Sequence, residues 1–130
     1  MSEAACDRHT ILVVEDDPDI TESLCDVLHS EGYQVATACN GREGLDRLRE
    51  IGRPCLILLD LMMPVMSGSE FLAALRQDDA LASIPVVIVS AWTNESARVR
   101  AQSQGFVKKP ISIDALLEAT HRLCAPEVGG

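Results

Sequence analysis

CLILLDLMMP, residues 55–64, sets a single carboxylate, Asp60, inside a run otherwise apolar enough to be buried. Taking an ionised group out of water without a partner costs several kcal/mol or more, so something must compensate this one. A second apolar run ends the same way, where Thr10-Ile-Leu-Val-Val14 passes straight into Glu15-Asp16-Asp17-Pro18. Four or five consecutive apolar residues, in place of an in-and-out alternation, mark a strand covered on both faces, as in parallel sheets. Further runs of this kind lie at residues 33–38 and 86–89 and, more weakly, at 106–107.

Helical spacing fills the gaps between these strands. Ile20, Leu24, Val27 and Leu28 fall at i, i+4, i+7 and i+8 behind Asp17 as N-cap and Pro18 at the first helical position, and Gly32 ends the helix. A second helix opens behind Asn40-Gly41, carries Leu45, Leu48 and Ile51 on one face and stops at Gly52 and Pro54. Ser67 and Glu70 have capping-box spacing ahead of Phe71, Leu72 and Leu75. Residues 93–104 carry little apolar surface beyond Ala97, Val99 and Ala101, so a fourth helix there docks weakly. The fifth starts near Ser112 and is expected to bury Ile113, Leu116, Leu117 and Leu123.

Five strand–helix alternations give an α/β (βα)5 three-layer sandwich, because right-handed crossovers put helices on both faces of a parallel sheet. With 130 residues there is room for one domain, with its core at about residues 10–124 between short tails. A formal net charge of -9 argues against direct contact with nucleic acid or an anionic membrane. The N-terminus lacks the basic start and apolar core of a signal peptide, and no apolar run reaches the ~20 residues of a membrane span, which points to the cytoplasm. The five cysteines are odd in number, widely spaced and contain no C-x-x-C, so a disulfide framework or zinc site is not expected. A reducing compartment suits them.

In the flavodoxin-like strand order 2-1-3-4-5 the first and third strands are neighbours, and Glu15, Asp16 and Asp60 converge at their C-terminal ends, where such folds bind ligands. Carboxylates that close cannot all stay ionised unaided: either one keeps its proton or a cation neutralises the set, and an all-oxygen pocket selects a hard cation, Mg²⁺ with Mn²⁺ as the alternative. Ser90 closes the fourth strand with a hydroxyl, and Lys109, held extended by Pro110, brings a positive charge to the end of the fifth. Asp17 is read as the N-cap and not as a ligand, Lys108 as a solvated strand residue, and His9, His29 and His121 as surface side chains.

ILVVEDDP, LILLDLMMP with Ser67-Gly68 after it, VVIVSA and FVKKPIS, four motifs in order over about residues 10–124, resemble the signature segments of the response-regulator receiver domain of two-component signalling. The resemblance implies a phosphoacceptor that is no enzyme toward an external substrate but takes part in its own phosphorylation and dephosphorylation. Asp60 is then the residue that takes a phosphoryl group from a sensor histidine kinase or histidine phosphotransfer protein. Mg²⁺ is held by Glu15, Asp16, Asp60 and the backbone carbonyl of Met62. Lys109 and Ser90 bind phosphoryl oxygens, and Ser90 and Phe106 act as the switch that alters the surface around helix 4, strand 5 and helix 5 for a downstream protein target. The Lys109–Pro110 bond is expected to be cis.

The sequence departs from that pattern in three places. Between Ser90 and Lys109 the chain is a few residues short, so helix 4 should be curtailed. Ser67 stands where aspartate is frequent, keeping the N-cap. Met62 and Trp92, two beyond the acceptor and the hydroxyl residue, are bulky and should shield a phosphoryl group from water. Other readings of the same fold are a receiver-like interaction module that is not phosphorylated, a flavodoxin-like electron carrier, disfavoured by acids in the first loop and few aromatics, and a phosphohydrolase, for which Met62 cannot serve as general acid. No output domain follows in residues 125–130, which leaves a stand-alone regulator and a receiver cut from a hybrid kinase or longer regulator as equal expectations.

Overall fold

The computed structural model describes residues 6–124 of the chain. The elements run β1 (Cys6–Val14), α1 (Pro18–Ser30), β2 (Gln34–Ala38), α2 (Gly41–Ile51), β3 (Arg53–Leu59), α3 (Gly68–Gln77), β4 (Val86–Ser90), α4 (Asn94–Val99), β5 (Gly105–Lys108) and α5 (Ile113–Leu123), with a 3₁₀ turn, Arg100–Gln102, after α4. The strands form one sheet in the order β2-β1-β3-β4-β5, and every pairing is parallel. The fold is the flavodoxin-like one expected.

The uninterrupted apolar runs are explained by where alternate residues go. Leu12 and Val14 of β1, Ile57 and Leu59 of β3, and Val86 and Ile88 of β4 pack with Leu48 of α2, Phe71, Leu72 and Leu75 of α3, and Val99 of α4. The residues between them, Ile11, Val13, Leu56, Leu58, Val87 and Val89, pack with Leu24 and Leu28 of α1 and Leu116 and Ala119 of α5. Each central strand therefore feeds two cores, one per sheet face, and both faces stay apolar over Ile11–Val14 of β1 and Leu56–Leu59 of β3.

The helix starts obey the caps read from the sequence. Asp17 accepts from the Asp19 amide at 2.9 Å, and Asn40 and Ser112 cap α2 and α5. Ser67 and Glu70 form a reciprocal capping box. Boundaries differ from the expected ones where partners outweigh composition. β1 begins at Cys6, five residues before its apolar run, because Cys6 and Asp7 find Arg53 and Pro54 opposite them across a bulge. β3 starts directly after Gly52, whose φ of +80° ends α2 without a linker.

α4 spans only six residues. Its Thr93–Ser96 capping box is buried at Ser96, and among the described residues Val99 is its one apolar core side chain. Ala97 and Ala101 are exposed. Ile113, expected in the core, is 43% exposed; it sits in the first turn of α5, beside Ile20 and Pro110 in a shallow groove instead of over the sheet. Leu116 is fully buried, while Leu117 and Leu123 are partly so.

The cysteine reading also needs correcting: Cys55 of β3 and Cys124, the cap residue after α5, form a disulfide with their Cα atoms 5.5 Å apart. Their 69-residue separation hid the pairing, since neighbours in space need not show in spacing. Cys25 and Cys39 are free. His29 and His121 lie at the surface, and His121 faces Glu31 at 3.2 Å. Within β1 the structure describes the backbone of His9 and not its side chain, so the reading of His9 as a surface residue lies outside what is described, as do the tails at 1–5 and 125–130. Among the described residues no helix is long and apolar enough to cross a membrane.

Candidate functional site

The acid-bearing strand ends are fixed before any side-chain chemistry begins. β1 and β3 pair up to Val14 opposite Leu59, and the ladder continues through the Asp60 amide to the Val14 carbonyl at 3.0 Å, while the Glu15 amide bonds the Ala38 carbonyl at 2.9 Å. Glu15 and Asp60 thus leave adjacent strands at one level. Both are buried, and Asp16 next to Glu15 is exposed. Carboxylate oxygens of all three lie within 4.8 Å of one another.

The loop after Asp60 is pressed against it by one glycine. A Cβ on Gly68 would come within 2.3 Å of the Asp60 carbonyl oxygen and 2.6 Å of the Leu61 Cα, so only glycine lets α3 begin this close to the acceptor strand. The Gly68 amide bonds the Leu61 carbonyl at 3.0 Å. Val65, in the same loop, holds φ of +68°, strained for a β-branched residue. Gly68 was visible in the sequence as part of a motif, but its close approach to Asp60 was not.

Lys109 supplies the compensating charge. Its Nζ lies 3.2 Å from Glu15 Oε1 and 3.5 Å from Asp60 Oδ1, with the lysine side chain 23% exposed. The Lys109 amide bonds the Ser90 carbonyl at 3.0 Å, and the Lys109–Pro110 peptide is cis. Lys108 points its side chain to solvent, as read from the sequence.

One lysine does not neutralise the set. Burial, then the Asp60 charge, push the Glu15 carboxyl up to about 7, against the lowering effects of the Asp17 amide and Lys109. The Asp17 amide reaches Glu15 Oε2 at 3.1 Å, which explains how Asp17 serves the site through its backbone while its side chain caps α1. Three hard oxygen donors short of positive charge fit a small divalent cation such as Mg²⁺.

The fourth wall comes from β4. Ser90 is 1% exposed, and its hydroxyl has no hydrogen-bond partner among the described residues, although buried hydroxyls nearly always have one. Such an orphan is explained if an acceptor arrives with a ligand. Met62 lies beside Asp60, its amide 3.4 Å from Oδ1, and the residue is 62% exposed. Trp92 is 53% exposed and meets the half-buried Phe106 edge-on, with ring centroids 5.2 Å apart. The Arg100 guanidinium stands 5.9 Å from the centre of the same ring. The residues singled out for the site thus belong to β1, β3, β4 and β5, at their C-terminal ends or in the loops after them, with Phe106 inside β5 itself.

A family model described as the response regulator receiver domain matches residues 11–121. The polar-differentiation response regulator DivK of Brucella anthropi is 35% identical over 112 residues, covering 84% of this chain and 90% of that protein. Hybrid signal transduction histidine kinase D of Dictyostelium discoideum is 38% identical over 110 residues, which are 82% of this chain and only 7% of the kinase. Among solved structures, the response regulator TrrA of Thermotoga maritima in complex with Mg(2+)-BeF superposes with a TM-score of 0.79 at 31% identity, covering 88% of this chain and 97% of that one.

Proposed function

The chain belongs to the response regulator receiver domain family, whose members serve phosphoacceptor signalling in two-component systems, and from that premise we propose that Asp60 is the residue that accepts the phosphoryl group. The observation that carries this reading is the position of the Lys109 ammonium, 3.2 Å from Glu15 and 3.5 Å from Asp60, at the mouth of a buried acidic cluster.

In the proposed reaction an Asp60 oxygen attacks the phosphorus of a phosphohistidine on a sensor kinase or phosphotransfer protein. The P–N bond breaks as the P–O bond to Asp60 forms, and the imidazole leaves. Lys109 pairs with phosphoryl oxygens as they come to bear charge, and the Ser90 hydroxyl donates to one of them, gaining the partner it lacks at rest. Burial of Asp60 keeps bulk water from the acyl phosphate. Glu15, Asp16, Asp60 and the Met62 carbonyl are the groups that would hold Mg²⁺, or Mn²⁺ in its place, and the ion would offset charge on the phosphoryl oxygens.

Movement of Ser90 toward the phosphoryl group opens space beside β5, which we propose Phe106 fills by turning inward from Trp92 and Arg100. The surface of α4, β5 and α5 then presents a different face to a downstream protein. We read the chain as a single receiver domain with its core at residues 10–124, working in the cytoplasm, without direct contact to nucleic acid or membrane. The net charge of -9 supports the last point.

Incubation with Mg²⁺ and acetyl phosphate tests the proposal by intact mass. Wild-type protein is expected to gain one phosphoryl group, and Asp60→Asn none. Equal uptake by the variant, or no uptake by either, overturns it.

A further inference from the structure

We propose that Cys55 and Cys124 form a reversible covalent modification site, a thiol pair oxidised by low-molecular-weight disulfides, whose closure clamps the end of α5 to β3. The pair lies at the start of β3, five residues before Asp60, and takes no part in the phosphoacceptor site.

Three features carry the proposal. The partners are held together by groups other than their own bond. The Cys124 carbonyl accepts from the Tyr33 hydroxyl at 3.1 Å, and the Cys124 amide bonds the Thr120 carbonyl at 2.7 Å. α5 is further docked by Leu116 and Ala119 in the apolar layer that Cys55 lines. The reduced thiols therefore stay neighbours, which gives closure the advantage of an intramolecular reaction. The Cα separation of 5.5 Å lies within the ordinary range for a disulfide, so no backbone movement is needed.

Access is also unequal between the two sulfurs. Cys55 is partly exposed, whereas Cys124 is buried among Tyr33, Leu28 and the strand residues of the same core. A small disulfide enters at Cys55. The Cys55 thiolate attacks one of its sulfurs, releasing one small thiol and forming a mixed disulfide. The Cys124 thiolate then attacks the Cys55 sulfur and releases the second small thiol. The protein loses two protons and two electrons, and the small disulfide is reduced to two thiols. Reduction runs the same steps backwards, with the incoming thiol attacking at Cys55.

The bond closes a loop over the 69-residue separation that contains β3, α3, β4, α4, β5 and α5, most of the surface through which phosphorylation is proposed to act. A crosslink over so long a loop constrains the unfolded chain strongly. Independently of phosphorylation, the bond couples the position of the last turn of α5 to the redox state of the surroundings.

The test uses the full chain equilibrated in oxidised and in reduced glutathione, denatured in an alkylating agent and weighed intact. Apart from cysteines carrying a glutathione adduct, recognised by its added mass, the oxidised protein is expected to carry two fewer alkyl groups than the reduced one, with the residues protected without an adduct mapping to Cys55 and Cys124. Its thermal midpoint should be higher by about 5–15 °C. Cys55→Ser, at the partly exposed position, should abolish both differences, while Cys25→Ser keeps them. Alkylation of all five cysteines in the oxidised buffer, protection of a different pair, or a midpoint unchanged by oxidation overturns the proposal.

Discussion

The sheet meets its upper loops in two unlike ways. On the side of β1 and β3, Glu15 and Asp60 follow strands whose last residues, Val14 and Leu59, are fully buried, and Gly68 brings α3 against the Asp60 backbone. On the side of β4 and β5, the connection is a six-residue helix and a 3₁₀ turn, with Val99 as the sole apolar core side chain among its described residues and Trp92 more than half exposed. The difference separates a region that must hold three carboxylates against their own repulsion from one with little packing to resist rearrangement. Under the proposed function, the chemistry falls where the backbone cannot relax and the response where it can.

The contrast can be broken most severely in the core. Phe71→Ala, beneath the acid-bearing strands and in contact range of Gly44, should cost about 3–5 kcal/mol, whereas Val99→Ala in α4 should cost about 1 kcal/mol. Urea unfolding of both variants measures the gap. Equal losses would mean that the α4 side is packed as firmly as the other.

A smaller effect isolates the acids. The Glu15 carboxyl titrates at about 7 in the folded metal-free protein, above its ordinary 4.5. The folded state then binds the extra proton between these values, so stability contributed by this group falls as pH rises from about 4.5 to 7. The expected loss is of the order of 1–3 kcal/mol. Saturating Mg²⁺ should flatten the dependence, and Glu15→Gln should remove it. Denaturant midpoints between these pH values, with and without Mg²⁺, provide the check.

The least effect belongs to the exposed wall. Trp92→Ala forfeits its edge contact with Phe106, worth about 0.5–1.5 kcal/mol. Combined with Met62→Ala it should also shorten the lifetime of the phosphorylated form a few-fold, by opening the acyl phosphate to water. Decay of the phosphorylated mass over time measures this, and an unchanged lifetime would remove both side chains from any shielding role.

Much of the α4 contrast could be read from composition, because residues 93–104 hold too few apolar side chains to cover the sheet. Other links had no local signal. The Arg76 guanidinium bonds the carbonyls of Ala82, Ile84 and Gln102 at 2.7, 3.1 and 2.9 Å and the Gln104 side chain at 3.1 Å. It thereby ties the end of α3 to the chain entering β4 and β5. In sequence it is one basic residue in a last helical turn, as common as any.

By itself the sequence determined the strand–helix alternation, the caps, the strand-end acids and Lys109, because periodicity, turn chemistry and a carboxylate amid apolar residues are local properties that survive in one dimension. Only the tertiary structure decided that Gly68 touches the Asp60 backbone, that the Ser90 hydroxyl has no partner among the described residues, that Ile113 faces outward, and that Cys55 bonds Cys124. Those facts depend on distances between segments far apart in the chain, which the crossovers and the packing of two cores on one sheet set jointly.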